Sequence, residues 1–496
     1  MSYVLGLDLG TGSLKGLLMN REGLIIATKT SEYDLISTQP GYSEQRPSDW
    51  IEAAKIVIKD IIAEIPDAAG QIETISFSGQ MHSLVLLDQS GIVLRNAILW
   101  NDVRTTAQCK TIMDQMGARV IEITKNKALE GFTLPKLLWV KENEPEIWSQ
   151  AARFLLPKDY LGYWLTGNQQ MEYSDAAGTL LLDVTNKVWS QDILEAFDVP
   201  ADFCPPLVRS IDCIGTVKQE IAEELGLTSD IKVIAGGADN ASAAVGAGIV
   251  HDNIAMCSIG TSGVFLAYEP DGTKNYEGHL HYFNHGEPEK YYSMGVTLAA
   301  GHSLNWFKKT FAKDLSYEEL LSGIDEIAAG SDGLFFTPYI VGERTPYTDS
   351  QVRGSFIGMD VHHTLKHFAK SVLEGITFSL KDSQLLMEQY TGKQFEQIVS
   401  VGGGAKNRDW LQMQADIFNA KVVTLETEQG PAQGATMLAA VGAGWYETVS
   451  DCANDWVNFK ETYIPDPQAA EHYRLLHKKY QDIYPATKAL FTPISN

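Results

Sequence analysis

Cysteine is scarce in this chain. Five are spread over 496 residues, at positions 109, 204, 213, 257 and 452, and no two form a C-x-x-C pair. Neither a disulfide framework nor a zinc site is expected, and reduced cytosolic thiols fit the pattern. Positive charge is also in deficit: 39 Lys and Arg face 63 Asp and Glu, a formal net charge of -24. Phosphate backbones call for clustered Lys and Arg, so nucleic acid is not expected as a main partner. A nucleotide stays open, because backbone N–H groups and Mg²⁺ can hold its phosphates. No run of about 18 apolar residues occurs, so no membrane-spanning helix is expected. Nor does the start read as a secretory leader, since Asp8 interrupts the first apolar run. A cytoplasmic enzyme is the expectation. With 44% hydrophobic residues the chain can build a sizeable core, and its length calls for roughly two to four domains.

Tyr3–Leu9 reads as a buried strand that ends in Gly10-Thr11-Gly12. Leu14–Met19 and a segment from Gly23 continue it as a β-meander. Trp50–Glu64 has helical spacing, with Ser48 or Asp49 able to cap it. Further strands are expected at Glu73–Ser78 and Leu84–Leu87, and helices at Thr105–Met116, Leu134–Lys141 and Tyr160–Leu165. This mixture indicates an α/β fold. A second start follows. Lys232–Ala235 ends in Gly236-Gly237-Ala238-Asp239-Asn240, and Asn253–Ile259 ends in Gly260-Thr261-Ser262-Gly263. Leu9-Gly10-Thr11-Gly12-Ser13-Leu14 parallels Ile259-Gly260-Thr261-Ser262-Gly263-Val264: strand, Gly-Thr turn, strand. The weak repeat suggests two domains of similar core topology, residues 1–245 and 246–496.

Glycine turns at strand ends suit a phosphate clasp, because glycine lets successive N–H groups approach one anion. Gly10, Thr11, Gly12 and Ser13 form one such turn, and Gly260 and Thr261 start the other. Neither G-x-G-x-x-G nor GxxxxGK[ST] is present, which excludes the dinucleotide fingerprint and the P-loop. Asp8 would repel bare phosphate, but with Mg²⁺ between them it becomes a metal-side ligand; a turn-capping role is the alternative. A third cluster, Gly402-Gly403-Gly404-Ala405-Lys406-Asn407, precedes the helical stretch Asp409–Phe418. That cluster could receive the α-phosphate and nucleoside, aided by the helix N-terminus; a structural turn is the alternative.

Phosphoryl transfer to an alcohol needs in-line positioning, charge neutralisation and a carboxylate to accept the proton. Asp239 at a strand end suits that role, and Asn240 beside it could bind a hydroxyl. The alternative is that Asp239 caps the small-residue helix Ala241–Ala247. Gln80-Met81-His82 ends another strand and could bind sugar hydroxyls, although a lone His is more often structural. Trp100, with Asn101, Asp102 and Arg104, offers either a sugar-binding aromatic face or a Trp anchored in the core. His279, His281 and His285 have no cysteine or acidic partner at metal-ligand spacing.

These residues and two longer patterns make the sequence similar to the FGGY carbohydrate kinases over nearly its whole length. One pattern runs from Gly131-Phe132-Thr133 to Trp139-Val140, the other from Gly354-Ser355-Phe356-Ile357-Gly358 to Ser371-Val372-Leu373-Glu374. Within the family, Ser78-Gly79-Gln80-Met81-His82, Leu156-Pro157-Lys158-Asp159, Ser174-Asp175-Ala176 and Gly342-Glu343-Arg344 resemble bacterial kinases of D-xylulose. The resemblance implies two actin-like, ribonuclease-H-type domains with ATP and sugar in the cleft between them, and a homodimer. It implies Asp239 as base, Met81 and His82 on the ketose, Asp8 on the Mg²⁺ side, Thr261 on the phosphates, and Gly403, Gly404 and Asn407 on the nucleoside. Two positions depart. Ser83 stands where those kinases usually have glycine and gluconate kinases of the family resemble Met-His-Ser. Ala238 replaces a frequent third glycine. An actin- or chaperone-like ATPase shares the nucleotide clasp and remains the alternative of another class.

Overall fold

The computed structural model describes residues 2–491. Among these residues two seven-stranded sheets dominate. The first contains β1 (Tyr3–Leu9), β2 (Ser13–Asn20), β3 (Ile25–Glu32), β4 (Ile72–Gly79), β5 (Cys213–Thr216), β6 (Lys232–Ile234) and the short β7 (Gly237–Ala238). Its order is β5-β6-β4-β1-β2-β3, with β7 also on β4. Strands β1, β2 and β3 form an antiparallel meander, while β4 runs parallel to β1 and β6 parallel to β4.

The second sheet repeats the scheme. It is built from β8 (Ile254–Ile259), β9 (Gly263–Glu269), β10 (His281–Asn284), β11 (Tyr291–Thr297), β12 (Gln397–Gly402), β13 (Lys421–Leu425) and β14 (Phe459–Tyr463). Here β8, β9 and β11 are the antiparallel set, and β12 and β13 add in parallel. The matched hairpin turns close alike: Gly10 N–H donates to Ser13 O and Gly260 N–H to Ser262 O, both at 3.0 Å. The repeat read from the two Gly-Thr turns is therefore a repeat of topology.

Period-two alternation assigns the faces of β1. Tyr3, Leu5, Leu7 and Leu9 join the core under helix α1 (Pro47–Glu64), while Val4 packs in a separate cluster on the other side. Gly6 and Asp8 share that other side. It is covered by α2 (Asp239–Gly246) and by α6 (Pro431–Gly442), a helix contributed by the distant end of the chain. The intervening helices are α3 (Gly301–Phe311), α4 (Leu365–Thr391) and α5 (Arg408–Phe418). Thr74 Oγ1 donates to Ala439 O at 2.9 Å, which ties β4 to α6. Where α2 and α6 cross, a Cβ on Gly434 would lie 1.9 Å from Ser242 O, so only glycine permits the approach. The two halves are thus joined by a tight helix crossing that starts at Asp239.

Several local expectations shift. Helix α1 begins at Pro47, so Ser48 and Asp49 lie inside its first turn and do not cap it; Asp49 instead pairs with Arg46 at 2.9 Å. The helix from Thr106 continues past Met116, where non-helical dihedrals mark a kink, to Thr124.

Candidate active site

Three parallel elements of the first sheet end on one edge, and open-sheet sites form at such edges. Strand β1 delivers Asp8, β4 delivers Gln80–Ser83, and β7 delivers Asp239. The register is direct: Ser78 pairs with Asp8 on one side and with Gly237 on the other. Burial pushes the Asp8 carboxyl up to about 6, opposed by a hydrogen bond from Ser78 and by the charge of Lys15. Lys15 is the cross-strand partner of Asp8 on the same face. Its ammonium bonds Gln429 Oε1 at 2.5 Å. Asp239 rises further, to about 7. Burial is the main cause, the Asn240 N–H opposes it, and the charge of Asp8 adds to it. A carboxylate close to another is raised by its charge, and Asp8 acts in this way on Asp239.

Asp239 does not cap its helix. Ala238 occupies the cap position, and Asp239 opens the first turn, accepting from its neighbour Asn240 N–H at 2.6 Å and Asn240 Nδ2 at 3.0 Å. Its other oxygen stays available at the cleft.

Beside this pair lies a pocket of mixed character. Asn240 Nδ2 and the Tyr292 hydroxyl both reach Met81 Sδ at 3.8 Å. His82 sits at φ +66°, a conformation that costs a non-glycine residue energy and aims its side chain. Its Nδ1 bonds the Gly178 carbonyl at 2.7 Å, so Nδ1 carries the proton and Nε2 keeps a lone pair. Burial drives its pKa down to about 3, helped by Lys136 and Arg344, so the ring is neutral. Phe132 packs on it with centroids 4.7 Å apart, and Phe283 of β10 stands at 6.0 Å. Trp100 is not a core anchor: it is 44% exposed and its indole N–H donates to Thr11 Oγ1 at 2.9 Å. Asp102 and Arg104 do form the expected pair, buried and 2.7 Å apart.

Across the cleft is a cavity of about 900 Å³. Gly260, Thr261, Gly403 and Asn407 line it, so two glycine-containing turns far apart in sequence meet there. Gly404 lies behind the wall, packed under Ile259. Gly402, at φ +80°, donates its N–H to Glu428 Oε1 at 2.8 Å. Asn407 Oδ1 caps α5 through Trp410 N–H at 2.8 Å. Helix α3 starts beside the turn: Gly301 N–H bonds Gly260 O at 2.8 Å and His302 N–H bonds Thr261 O at 3.0 Å. His302, Asn305, Tyr317 and Arg408 also line it and were not singled out from sequence. Nor were Phe283 and Tyr292, which carry no local motif and come from elements that only folding brings near. Phe132 and Gly178 fall within segments that resemble the family, but no contact with His82 was read from them.

His281 Nδ1 bonds Asn126 Oδ1 at 3.0 Å, and His285 Nδ1 accepts from Glu287 N–H at 2.9 Å, so both rings serve the packing. Among the described residues no helix is long and apolar enough to cross a membrane.

The N-terminal domain model of the FGGY family of carbohydrate kinases matches residues 3–246, and its C-terminal domain model matches 255–443. The xylulose kinase of Lactococcus lactis is 54% identical over 491 residues, covering 99% of this chain and 98% of that one. The xylulose kinase of Bacillus subtilis is 51% identical over 496 residues, covering 100% and 99%. The solved structure of a ligand-bound xylulose kinase from Lactobacillus acidophilus superposes with a TM-score of 0.94 at 29% identity, covering 99% of each chain. Two actin-like lobes, a cleft edged by two carboxylates and a nucleotide-sized cavity accord with these matches, and the protein belongs to the FGGY family of carbohydrate kinases.

Proposed function

We propose that the protein transfers the γ-phosphoryl group of ATP to the 5-hydroxyl of D-xylulose, giving D-xylulose 5-phosphate and ADP. The observation that carries this reading is the Asp239 carboxylate, held near a pKa of 7 between Asp8 and the pocket of Met81, His82 and Trp100. Identity above one half with xylulose kinases along the full chain supports the choice of sugar.

The lobes are assigned as residues 1–245, for sugar and base, and 246–496, for ATP. Trp100 offers its face to the sugar, and the His82 Nε2 lone pair accepts a hydroxyl. Asn240 and Met81 border the reacting end. In the transfer the sugar oxygen bonds to the γ-phosphorus as the bond to the β,γ-bridging oxygen breaks, and the hydroxyl proton passes to Asp239. A carboxyl with a pKa near neutrality is matched to that exchange. The turns Gly10–Ser13 and Gly260–Thr261 present N–H and hydroxyl donors to the phosphates. Gly403 and Asn407 face the nucleoside, with Gly404 supporting them from behind.

The donor set also fits Mg²⁺. Asp8 and Asp239 are hard oxygen ligands, both raised by burial, and Asp239 is raised further by the charge of Asp8, so negative charge at this edge is only partly offset by Lys15. Asp8 would hold the ion, which would neutralise developing charge on the phosphate oxygens. Closing of the lobes would exclude water.

A coupled ADP-release assay over D-xylulose, D-ribulose, gluconate and glycerol tests the reading. D-xylulose should give the highest kcat/KM. A preference for gluconate would trace to Ser83, and ATP hydrolysis indifferent to every sugar would indicate an actin- or chaperone-like ATPase.

A further inference from the structure

Position 83 departs from the pattern of related kinases, and the structure gives its side chain a definite set of partners. Ser83 is fully buried. Its Oγ accepts the Trp100 backbone N–H at 3.1 Å. Its proton is shared between Gln80 Oε1 at 3.5 Å and the Met81 carbonyl at 3.3 Å. Gln80 Nε2 donates to Gln45 Oε1 at 3.0 Å, and Gln45 Nε2 donates to the Thr11 carbonyl at 2.6 Å. The Trp100 indole closes the circuit on the Thr11 hydroxyl at 2.9 Å.

The direction of the two glutamine links is dictated. Trp50 Nε1, which can only donate, bonds Gln45 Oε1 at 3.0 Å and so fixes that amide. Gln45 Nε2 must then face the Thr11 carbonyl, which can only accept. Gln80 must present Nε2 to Gln45, which leaves its Oε1 for Ser83. All donors therefore run one way, from Trp100 through Ser83, Gln80 and Gln45 to Thr11. Both glutamines are buried, so the chain is shielded from water and each link polarises the next. Thr11 is held at two points, its carbonyl and its hydroxyl, and both tethers lead back to Trp100.

We propose that Ser83 is a positioning residue that couples the two substrates. It closes a hydrogen-bonded ring through which the placement of Trp100, on the sugar side, sets the conformation of the Thr11 turn on the phosphate side. This rests on the reading of Trp100 as a sugar contact and Thr11 as a phosphate contact. A sugar seated on Trp100 stiffens the ring, and the Thr11 turn is then ordered before the nucleotide arrives. With alanine at position 83 the Trp100 N–H and Gln80 Oε1 lose their common partner, and Trp100 moves independently of Gln80 and Gln45.

The test is the coupling factor between sugar and nucleotide, measured by calorimetry as the Kd of ADP with Mg²⁺, with and without saturating D-xylulose. Reciprocity requires the same factor when the order is reversed. In the unaltered enzyme the sugar should tighten ADP by about 5-fold or more, within the usual range of such couplings. In Ser83→Ala the factor should fall to within about 2-fold of unity, while ADP alone binds as before. Trp100→Phe keeps an aromatic face and removes the indole N–H, opening the ring at its other junction. If the ring is one unit, the double variant loses no more coupling than either single one. Full coupling in Ser83→Ala, absence of coupling in the unaltered enzyme, or simply additive losses would each overturn the proposal. Turnover by the unaltered enzyme tests the substrate separately; if another sugar is the one phosphorylated, coupling is measured with that sugar.

Discussion

Asp8 and Asp239 come from the two elements that flank strand β4, Asp8 opposite Ser78 and Asp239 just past Ala238, which is opposite Gly79, and the charge of Asp8 helps to lift the Asp239 carboxyl to about 7. Strand β4 alone separates the proposed metal-side carboxylate from the proposed proton acceptor. The pair is tuned because neither carboxylate is fully neutralised by the protein.

The first consequence is a pH profile. Asp239 accepts a proton only when ionised, so kcat/KM for the sugar should fall as pH drops through about 7. Asp8→Asn removes the like charge and should move the Asp239 pKa downward. Carboxyl carbon NMR of the free enzyme reads this without relying on turnover. An unchanged Asp239 pKa in Asp8→Asn would break the electrostatic link.

Removing the base should cost turnover and spare binding. Asp239→Ala is expected to lose about 100-fold or more in kcat while binding ADP with near-normal affinity. Steady-state kinetics and calorimetry check the two halves. Near-normal turnover would assign the proton transfer elsewhere.

The same carboxylate should burden the fold. Its pKa is raised in the folded protein above its ordinary 3.8, so the folded state holds the proton more tightly than the unfolded one. Stability is therefore lost as pH rises from about 4 to about 7 and stays lost above that. Asp239→Asn should be more stable than the parent at pH 8, on the order of 2–3 kcal/mol given that the carboxylate keeps an edge on the cleft, with a smaller gain at pH 5. Denaturant titrations at the two pH values measure this.

His82 should act as a neutral acceptor. With its pKa near 3 it does not titrate between pH 5 and 8, so it adds no step to the profile there. His82→Ala should raise KM for the sugar about tenfold, the cost of one lost hydrogen bond in a buried pocket, with KM for ATP little changed. A matching rise in the ATP constant would place His82 outside the sugar pocket.

Asn407 carries two separable jobs. Its Oδ1 caps α5, and Ser is an equally good cap. Asn407→Ser should keep stability, while Asn407→Ala should lose about 1 kcal/mol. Both should weaken ADP binding if the amide Nδ2 meets the nucleoside. Thermal melting and ADP titration separate the two effects.

Much of the candidate site could be read locally, because its chemistry sits at strand ends followed by glycine. Asp8 before Gly10-Thr11-Gly12 and Asp239 after Gly236-Gly237 both carry that signature, and β1 and β7 do deliver them to one edge. The duplication was also legible, since a Gly-Thr hairpin recurs near residue 260. The roles of Trp100, Ser83 and Gln45 were not. Trp100 could equally have been a core residue, and only its bond to Thr11, 89 positions away, decides for the cleft. Tyr292 and Phe283 reach Met81 and His82 from the second sheet. His302 enters the nucleotide cavity because α3 starts where the Gly260 turn ends.

Periodicity and glycine placement, which act through neighbours in the chain, were enough by themselves to indicate an α/β chain with two Gly-Thr turns at strand ends, and the longer patterns pointed to a carbohydrate kinase. The tertiary structure alone decided that α6, from the far end of the chain, covers the face of β1 that bears Asp8. It alone decided that Asp8 and Asp239 flank one strand closely enough for the charge of Asp8 to raise the Asp239 carboxyl. The reason is physical: a pKa, a buried hydrogen-bonded ring and a helix crossing depend on distances between segments hundreds of residues apart, and no local pattern encodes those distances.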